Sequence, residues 1–149
     1  MRKILFTNTD GSLYVVYPVR NTYGETLTTD AEIEQRAWDK LPVDAINPVF
    51  VDESVIPTDR TFRNAWEHGG NSITQNIEKA KAIAHDKRRQ ARSAEFAPLD
   101  IKATIPFEAV SAEAARALIR TKYAEVQTAI DTATTITALT TIVAVLEEK

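Results

Sequence analysis

The residues best suited to chemistry form a basic run near the middle of the chain. Four cations fall within the segment His85-Asp86-Lys87-Arg88-Arg89-Gln90-Ala91-Arg92. Such a cluster can meet phosphates, with an affinity that depends on salt, or it can dock on an acidic protein. It can also be a solvated helix whose positive C-terminal half suits the helix dipole. No aromatic residue interleaves the cluster and the flanking regions are acidic, so an acidic protein surface is the favoured partner and nucleic acid is not. The predicted docking residues are Lys87, Arg88, Arg89 and Arg92.

Catalytic and metal-binding patterns are missing from the sequence. The two histidines, His68 and His85, match no zinc spacing, and no serine or carboxylate partner can be nominated for either. The acidic group Asp30, Glu32 and Glu34 is explained by the start of a helix. Four glycines leave no phosphate-binding loop, and without cysteine there is neither thiol chemistry nor a disulfide. We therefore expect no enzyme, no cofactor and no metal.

The segment Val55–Ala84 contains the large apolar anchors nearest to the basic run. Pro57 interrupts the preceding structure, and Thr58 or Asp59 can cap a helical turn that carries Phe62 and Trp66 on one face. Aromatic residues at this spacing usually belong to a core. The same two rings, if exposed, would form a docking patch, so they are also candidate docking residues.

A small sheet and one helix are predicted before this segment. Lys3–Thr7 and Ser12–Tyr17 read as a hairpin joined by Asp10-Gly11. A polar loop at Asn21–Thr29 leads to the helix Ala31–Leu41, with Asp30 as its N-cap. Pro48–Asp52 reads as a strand, and it is the natural third partner of the hairpin because a hairpin alone is only marginally stable in water.

The second half of the chain is predicted to be mainly helical. A helix from Ile77 to about Glu95 has the small-residue stripe Ile77, Ala80, Ala84, Ala91 and Ala94, and Pro98 ends it. Leu99–Val110 reads as an extended, packed apolar connector, and Ser111 caps a helix Ala112–Ala129. That helix has an apolar stripe at Ala115, Leu118, Ile119, Val126 and Ile130. For Thr134–Val143 a helix capped by Thr134 or Thr135 is favoured, and a buried strand is the alternative.

These elements predict an α+β protein, with an antiparallel sheet and a helix followed by a mainly helical half. We divide it into a docking module at residues 1–70 and a helical region at residues 71–149.

The chain has 149 residues, 26% of them charged, and a net charge of −3, which indicates an ordinary globular protein. No apolar run approaches the roughly 18 residues of a membrane helix, and the three apolar residues after Met1 are too few for a signal peptide.

Three segments carry a resemblance to a known group of proteins. The opening Met-Arg-Lys-Ile-Leu-Phe-Thr-Asn-Thr-Asp-Gly-Ser-Leu-Tyr-Val-Val-Tyr-Pro, then Val51-Asp52-Glu53, then Ile56-Pro-Thr-Asp-Arg-Thr-Phe-Arg-Asn-Ala-Trp66 resemble small proteins of tailed bacteriophages and prophages. The resemblance covers about residues 1–97. Its most specific part, Asp59–Trp66, is a family marker and not a catalytic motif, so no functional residue is carried over. Pro98 and Pro106 depart from the relatives, in which the helix continues.

The resemblance implies a non-enzymatic virion protein, because such proteins are encoded among virion structural genes. We expect it in the tail, baseplate or fibre region, made in the host cytoplasm and bound to other virion proteins or to copies of itself. Two alternatives stay open. One is a tail-fibre assembly chaperone that is absent from the finished particle, and the other is a small nucleic-acid-binding regulator that uses the basic helix.

Overall fold

The computed structural model describes residues 1–20 and 29–148, so the predicted loop at Asn21–Thr29 lies outside the described residues except for Thr29. The fold is α+β, as predicted. Two compact units, Met1–Asn76 and Ile77–Lys149, divide the chain. The first unit contains β1 (Lys3–Thr7), β2 (Leu13–Val16), α1 (Asp30–Asp39), β3 (Ile46–Val51), β4 (Trp66–His68) and β5 (Ile73–Gln75); the second contains α2 (Ile77–Lys102), α3 (Ala109–Thr132) and α4 (Ile136–Glu147).

The sheet of the first unit has the predicted three antiparallel strands, in the order β2-β1-β3. Gly11 closes the hairpin turn at φ +80°, a conformation that glycine adopts without strain. Successive residues of the central strand point to opposite faces. Ile4, Leu5 and Phe6 are all buried, so both faces of the sheet are covered.

Helix α1 covers one face of this sheet. Trp38 of α1 stacks on Phe50 of β3, with ring centroids 4.7 Å apart. The N-cap is Thr29 and not the predicted Asp30: the Thr29 hydroxyl accepts a hydrogen bond from the Glu32 backbone N–H, and the Glu32 carboxylate accepts one from the Thr29 N–H. This reciprocal capping box satisfies two backbone donors, whereas Asp30 is already helical and binds Arg20.

The predicted helical turn that carries Phe62 and Trp66 is wrong. Only Arg63–Ala65 forms a single 3₁₀ turn, and Trp66 starts strand β4, which pairs with β5. The Gly69-Gly70 pair makes the tight turn of this second hairpin, with Gly70 at φ +77°. The Asn76 N–H also donates to the Ala65 carbonyl. The hairpin therefore belongs to the first unit, Met1–Asn76.

An ion pair ties the start of the chain to α1, and it makes the stability of the first unit depend on pH. The Arg2 backbone N–H and guanidinium donate to the Glu34 carboxylate at 2.5, 2.8 and 3.0 Å, and only 8% of the Glu34 side chain is exposed. These hydrogen bonds hold the pKa of Glu34 below its ordinary value of 4.5. Protonation of Glu34 costs the native state these interactions, so their stabilisation is complete above pH 4.5 and is lost as the pH falls through the folded-state pKa.

We expect Glu34→Gln to lower the free energy of unfolding by about 1–2 kcal/mol at neutral pH, because charge-assisted hydrogen bonds are lost. The difference from the wild type should shrink as the pH falls below about 4, because the wild type then loses the same charge. Urea unfolding followed by tryptophan fluorescence measures this unit, since Trp38 and Trp66 are the two tryptophans of the chain and both lie in it. A constant difference between the two proteins at every pH would contradict the prediction.

In the second unit, α2 packs against both α3 and α4. Ala80 and Ala84 of the predicted small-residue stripe are buried, whereas Ala91 is half-buried and Ala94 is exposed. The predicted end at Pro98 is wrong, because α2 continues to Lys102 with Pro98 inside it. Proline removes one backbone donor, but helical hydrogen bonding is present beyond it: the Ala103 N–H donates to the Leu99 carbonyl at 2.9 Å.

The predicted extended and packed connector at Leu99–Val110 is also wrong. Its first residues belong to α2, a series of tight turns follows, and α3 already begins at Ala109. Ser111 is not the N-cap; that position is Glu108, and the Ser111 hydroxyl donates back to the Glu108 carbonyl. Far from being packed, Ile101, Phe107 and Val110 are 69–85% exposed. Their apolar side chains predicted a packed segment, but the fold places them at the surface.

The inner face of α3 differs in part from the predicted stripe. Leu118 is 74% exposed, while Tyr123, which is not part of the predicted stripe, is buried. The C-terminal helix α4 is confirmed and the alternative strand is wrong: the Thr135 hydroxyl accepts a hydrogen bond from the Ala138 N–H, as predicted for a cap. Leu139, Val143 and Leu146 are buried, so the helical periodicity outweighs the β-branched composition.

Candidate functional site

The two aromatic docking candidates lie in the interior of the first unit. Phe62 and Trp66 are each 2% exposed, so their rings offer almost no surface to a partner. The Arg63 guanidinium also lies over the Trp66 ring, 5.4 Å from its centroid. Because both rings pack within the fold, we correct the docking role predicted for Phe62 and Trp66 to a core role.

The basic run divides into two pairs of cations with different surroundings. Lys87 and Arg88 are half-buried against neighbouring helices of the second unit. Lys87 Nζ lies 2.5 Å from Glu147 Oε1 of α4. Arg88 Nη1 donates to Gln127 Oε1 of α3 at 2.5 Å, and to the Tyr123 carbonyl at 3.4 Å. These two cations therefore hold helices together, whereas Arg89 and Arg92 are exposed.

Removing Arg88 and removing Arg89 should have different effects on stability, although the sequence alone treats both as surface charges. Arg89→Ala loses only an exposed pair with Asp86 one turn away, which is worth at most about 0.5 kcal/mol. Arg88→Ala loses bonds that join α2 to α3, and we expect it to lower the free energy of unfolding by about 1–2 kcal/mol. Thermal unfolding followed by helical circular dichroism compares the two variants. Equal effects would contradict this division.

Arg89 and Arg92 line a groove with two further arginines that come from α3. The groove has a volume of about 460 Å³ and lies between α2 and α3; its lining consists of Arg89, Arg92, Ser93, Phe96, Asp100, Arg116 and Arg120. The sequence interpretation missed Arg116 and Arg120. These two arginines are four residues apart, which puts both on one helix face. The sequence therefore does contain a signal for a second basic surface on α3.

Phe96 organises the guanidinium groups of this arginine groove. The Arg92 guanidinium lies 5.1 Å from the centre of the Phe96 ring, and that of Arg116 lies 5.7 Å from it. Cations over an aromatic face are attracted by the negative charge of the ring surface. One ring from α2 therefore positions a guanidinium from each of the two helices, which turns separate surface charges into one basic site.

Carboxylates neutralise most of this positive charge. Arg89 pairs with Asp86, Arg116 pairs with Asp100 and Glu113 at 3.2 Å each, and Arg120 pairs with Glu113. Arg92 forms no hydrogen bond or ion pair with any residue in the ranges 1–20 and 29–148. Four guanidinium groups against three carboxylates leave one uncompensated positive charge, and Arg92 carries it.

Beside the arginine groove, a buried tyrosine fixes the contact between α2 and α3. The Tyr123 hydroxyl donates to Glu95 Oε1 at 2.8 Å, and Lys122 Nζ donates to the same oxygen at 2.6 Å. The Lys122 hydrogen bond lowers the pKa of Glu95. Burial, with the hydrogen bond to Glu95, raises the pKa of Tyr123 to about 12. Both groups are thus held in their ordinary charge states near neutral pH, which suits a structural contact and not proton transfer.

An exposed apolar surface adjoins the arginine groove on α3. A shallow depression of about 510 Å³ is lined by Ala109, Val110, Glu113, Ala114 and Ala117. Glu113 connects the two features, because it lines the depression and pairs with two of the arginines that line the groove. Val110, Ala114 and Ala117 follow a spacing of four and three residues, which places them on one helix face. The same unit exposes Ile101, Phe107 and Leu118.

In the ranges 1–20 and 29–148, no three histidine, aspartate or glutamate side chains are grouped so that they could hold a metal ion. No helix of these ranges has the length and apolar character needed to cross a membrane. Comparisons with protein-family models, with curated proteins and with solved structures give no match to this chain.

Proposed function

We propose that this protein is a non-enzymatic structural and interaction component of a tailed-phage virion, in the tail, baseplate or fibre region. The phage context rests on the resemblance of residues 1–97. The resemblance also supports the virion as its location, with synthesis in the host cytoplasm. Its partners would be other virion proteins and further copies of itself.

The single structural observation that carries the interaction role is the exposed apolar surface of the second unit. Ile101, Phe107, Val110 and Leu118 are between 69% and 85% exposed, and all four lie on the last turns of α2, the following turns or the first half of α3. Large apolar side chains that a fold leaves at its surface are candidates for coverage by a partner protein. A docking component leaves such side chains for its neighbours to cover, and it needs no constellation of reactive groups.

Quantitative mass spectrometry of purified particles tests this function. We expect the protein in washed particles at a fixed copy number relative to the major tail protein. Particles should lack a Phe107→Ser/Val110→Ser variant, because the changes remove apolar contact area from an exposed site without touching the core. Circular dichroism of the purified variant confirms that it remains folded.

The two alternatives give different results in the same experiment. An assembly chaperone would be required for infectious particles and yet be absent from them. A nucleic-acid-binding regulator would be absent from particles and retained on a heparin column until moderate salt, with the retention lost in Arg88→Ala/Arg89→Ala. Three of the four arginines of the groove already pair with carboxylates, which disfavours the regulator.

A further inference from the structure

We infer that the arginine groove and the adjoining face of α3 bind an acidic amphipathic helix of a partner protein. A carboxylate of that helix would bind Arg92, which carries the uncompensated charge of the groove, while its apolar side chains would cover Val110, Ala114 and Ala117. This inference rests on the proposed function, because it names the chemistry of the partner that the second unit docks. Its evidence is separate, however, and consists of the charges and shape of α2 and α3.

Arg92 is available to an anion. It has no carboxylate partner among the described residues, and the Phe96 ring holds its guanidinium in place. A guanidinium that is already positioned loses less conformational entropy when it binds, and its planar fork matches a carboxylate. Arg92 is therefore the group that a first carboxylate of the partner would bind.

The balance of positive and negative side chains in the arginine groove suits a partner with a few carboxylates and not a nucleic acid. Asp100 lines the groove and Glu113 lies beside it, so a continuous row of phosphates would meet fixed negative charges. Phe96 is the only aromatic residue of the lining, and it already contacts two guanidinium groups. Base stacking, on which single-stranded nucleic acids depend, has no free ring here.

An apolar strip on α3 lies beside the arginine groove. Val110, Ala114 and Ala117 have small side chains on one helix face, so the axis of a second helix can approach closely. A partner helix that lies there turns one side toward this strip and an adjacent side toward the arginines. An acidic residue on that adjacent side would reach the uncompensated guanidinium of Arg92, and a second one, three or four positions along, would compete with Glu113 for Arg120. This pairing of an apolar strip with a basic edge gives the surface its complementarity to an acidic amphipathic helix.

Fluorescence anisotropy with the full-length protein tests the inference. The probe is a labelled synthetic peptide with leucine on one helix face and glutamate, spaced by three and four residues, on the adjacent face. A matched peptide has glutamine in place of every glutamate, and a duplex DNA oligonucleotide is the third probe. The variant Arg92→Gln/Arg120→Gln removes two charges from the groove. The control Arg20→Gln/Lys102→Gln removes the same number of charges elsewhere.

We expect the glutamate peptide to bind and the glutamine peptide to bind at least about tenfold more weakly. The groove variant should weaken binding of the glutamate peptide by about tenfold or more, and the control variant by less than about twofold. Ala117→Asp should weaken binding as well, because it adds a charge to the apolar strip. Circular dichroism shows that each variant is folded.

Two results would overturn the inference. One is that the peptides do not bind, or that the groove and control variants affect binding equally. The other is tighter binding of DNA that the groove variant abolishes, which would assign the groove to nucleic acid. These results are independent of the particle experiment. If the protein is present in particles but does not bind the peptide, the proposed binding site is wrong and the proposed function stands. If it binds the peptide but is absent from particles, the virion function is wrong and the binding site stands.

Discussion

Phe62→Ala is expected to lower the free energy of unfolding of the first unit by about 3–5 kcal/mol. Phe62 is among the largest fully enclosed side chains of the protein, at 2% exposure. Its removal takes away the transfer free energy of the ring and leaves a cavity that a packed interior fills only in part. Trp66→Ala should cost a similar amount, because Trp66 is equally buried. Since whole domains are stable by only about 5–15 kcal/mol, either change should bring the first unit close to unfolding.

Urea unfolding followed by tryptophan fluorescence measures this effect. Trp38 reports on the first unit in both variants, because it remains when Trp66 is replaced. Val43→Ala is the control within the same unit, since the Val43 side chain is fully exposed, and it should stay within about 0.5 kcal/mol of the wild type. If Phe62→Ala left the free energy of unfolding almost unchanged, the ring would be exposed, and Phe62 would again be a candidate docking residue.

Leu139→Ala should lower the free energy of unfolding of the second unit by about 2–5 kcal/mol. Leu139 lies on α4, has no exposed surface, and follows directly after the first turn that Thr135 caps. Helix α4 has twelve residues, too few to be stable alone in water, so its packing must hold it. The loss of its best-buried side chain should therefore loosen the whole helix.

Val145→Ala is the control for this second change, because Val145 lies on the same helix and is 60% exposed. It should change stability by less than about 0.5 kcal/mol. Helical circular dichroism is the measurement, since α2, α3 and α4 make up nearly all of the second unit, while the described part of the first unit, residues 1–20 and 29–76, contains one short α-helix, α1. Equal losses in Leu139→Ala and Val145→Ala would mean that α4 is not packed as described.

The cations of the basic run have two separate roles. Some of them bind neighbouring helices, so the surface offers a partner fewer positive charges than the sequence contains. Lys87 and Arg88 reach α4 and α3 and contribute to the fold. Arg92 stacks on Phe96 and keeps its charge available. A partner that binds this surface should therefore be sensitive to Arg92 at little cost in stability, whereas Arg88 should affect stability first.

Several elements could be predicted because their signals are local. Asp10-Gly11 forces the tight turn of the first hairpin, and alternating apolar residues fix its strands, as observed. The spacing of Leu139, Val143 and Leu146 predicts a helix despite many threonines, and Thr135 caps it through its own side chain. Such features depend on a few neighbouring residues, so the sequence contains them in full.

The sequence by itself determined the first hairpin, the start of the long helix and the capped C-terminal helix, because hydrogen bonding within a few residues decides these features. It also indicated the third strand through its β-branched and aromatic residues and the need of a hairpin for a further partner, and so the α+β class. Only the tertiary structure decided that α2 passes through Pro98, that Trp66 is in a strand, and that Phe107 and Val110 face solvent. It alone brought Arg92 of α2 beside Arg116 and Arg120 of α3. The physical reason is that these outcomes depend on contacts between residues far apart in the chain: packing can outweigh one missing helical hydrogen bond, and a basic groove exists only where two helices meet.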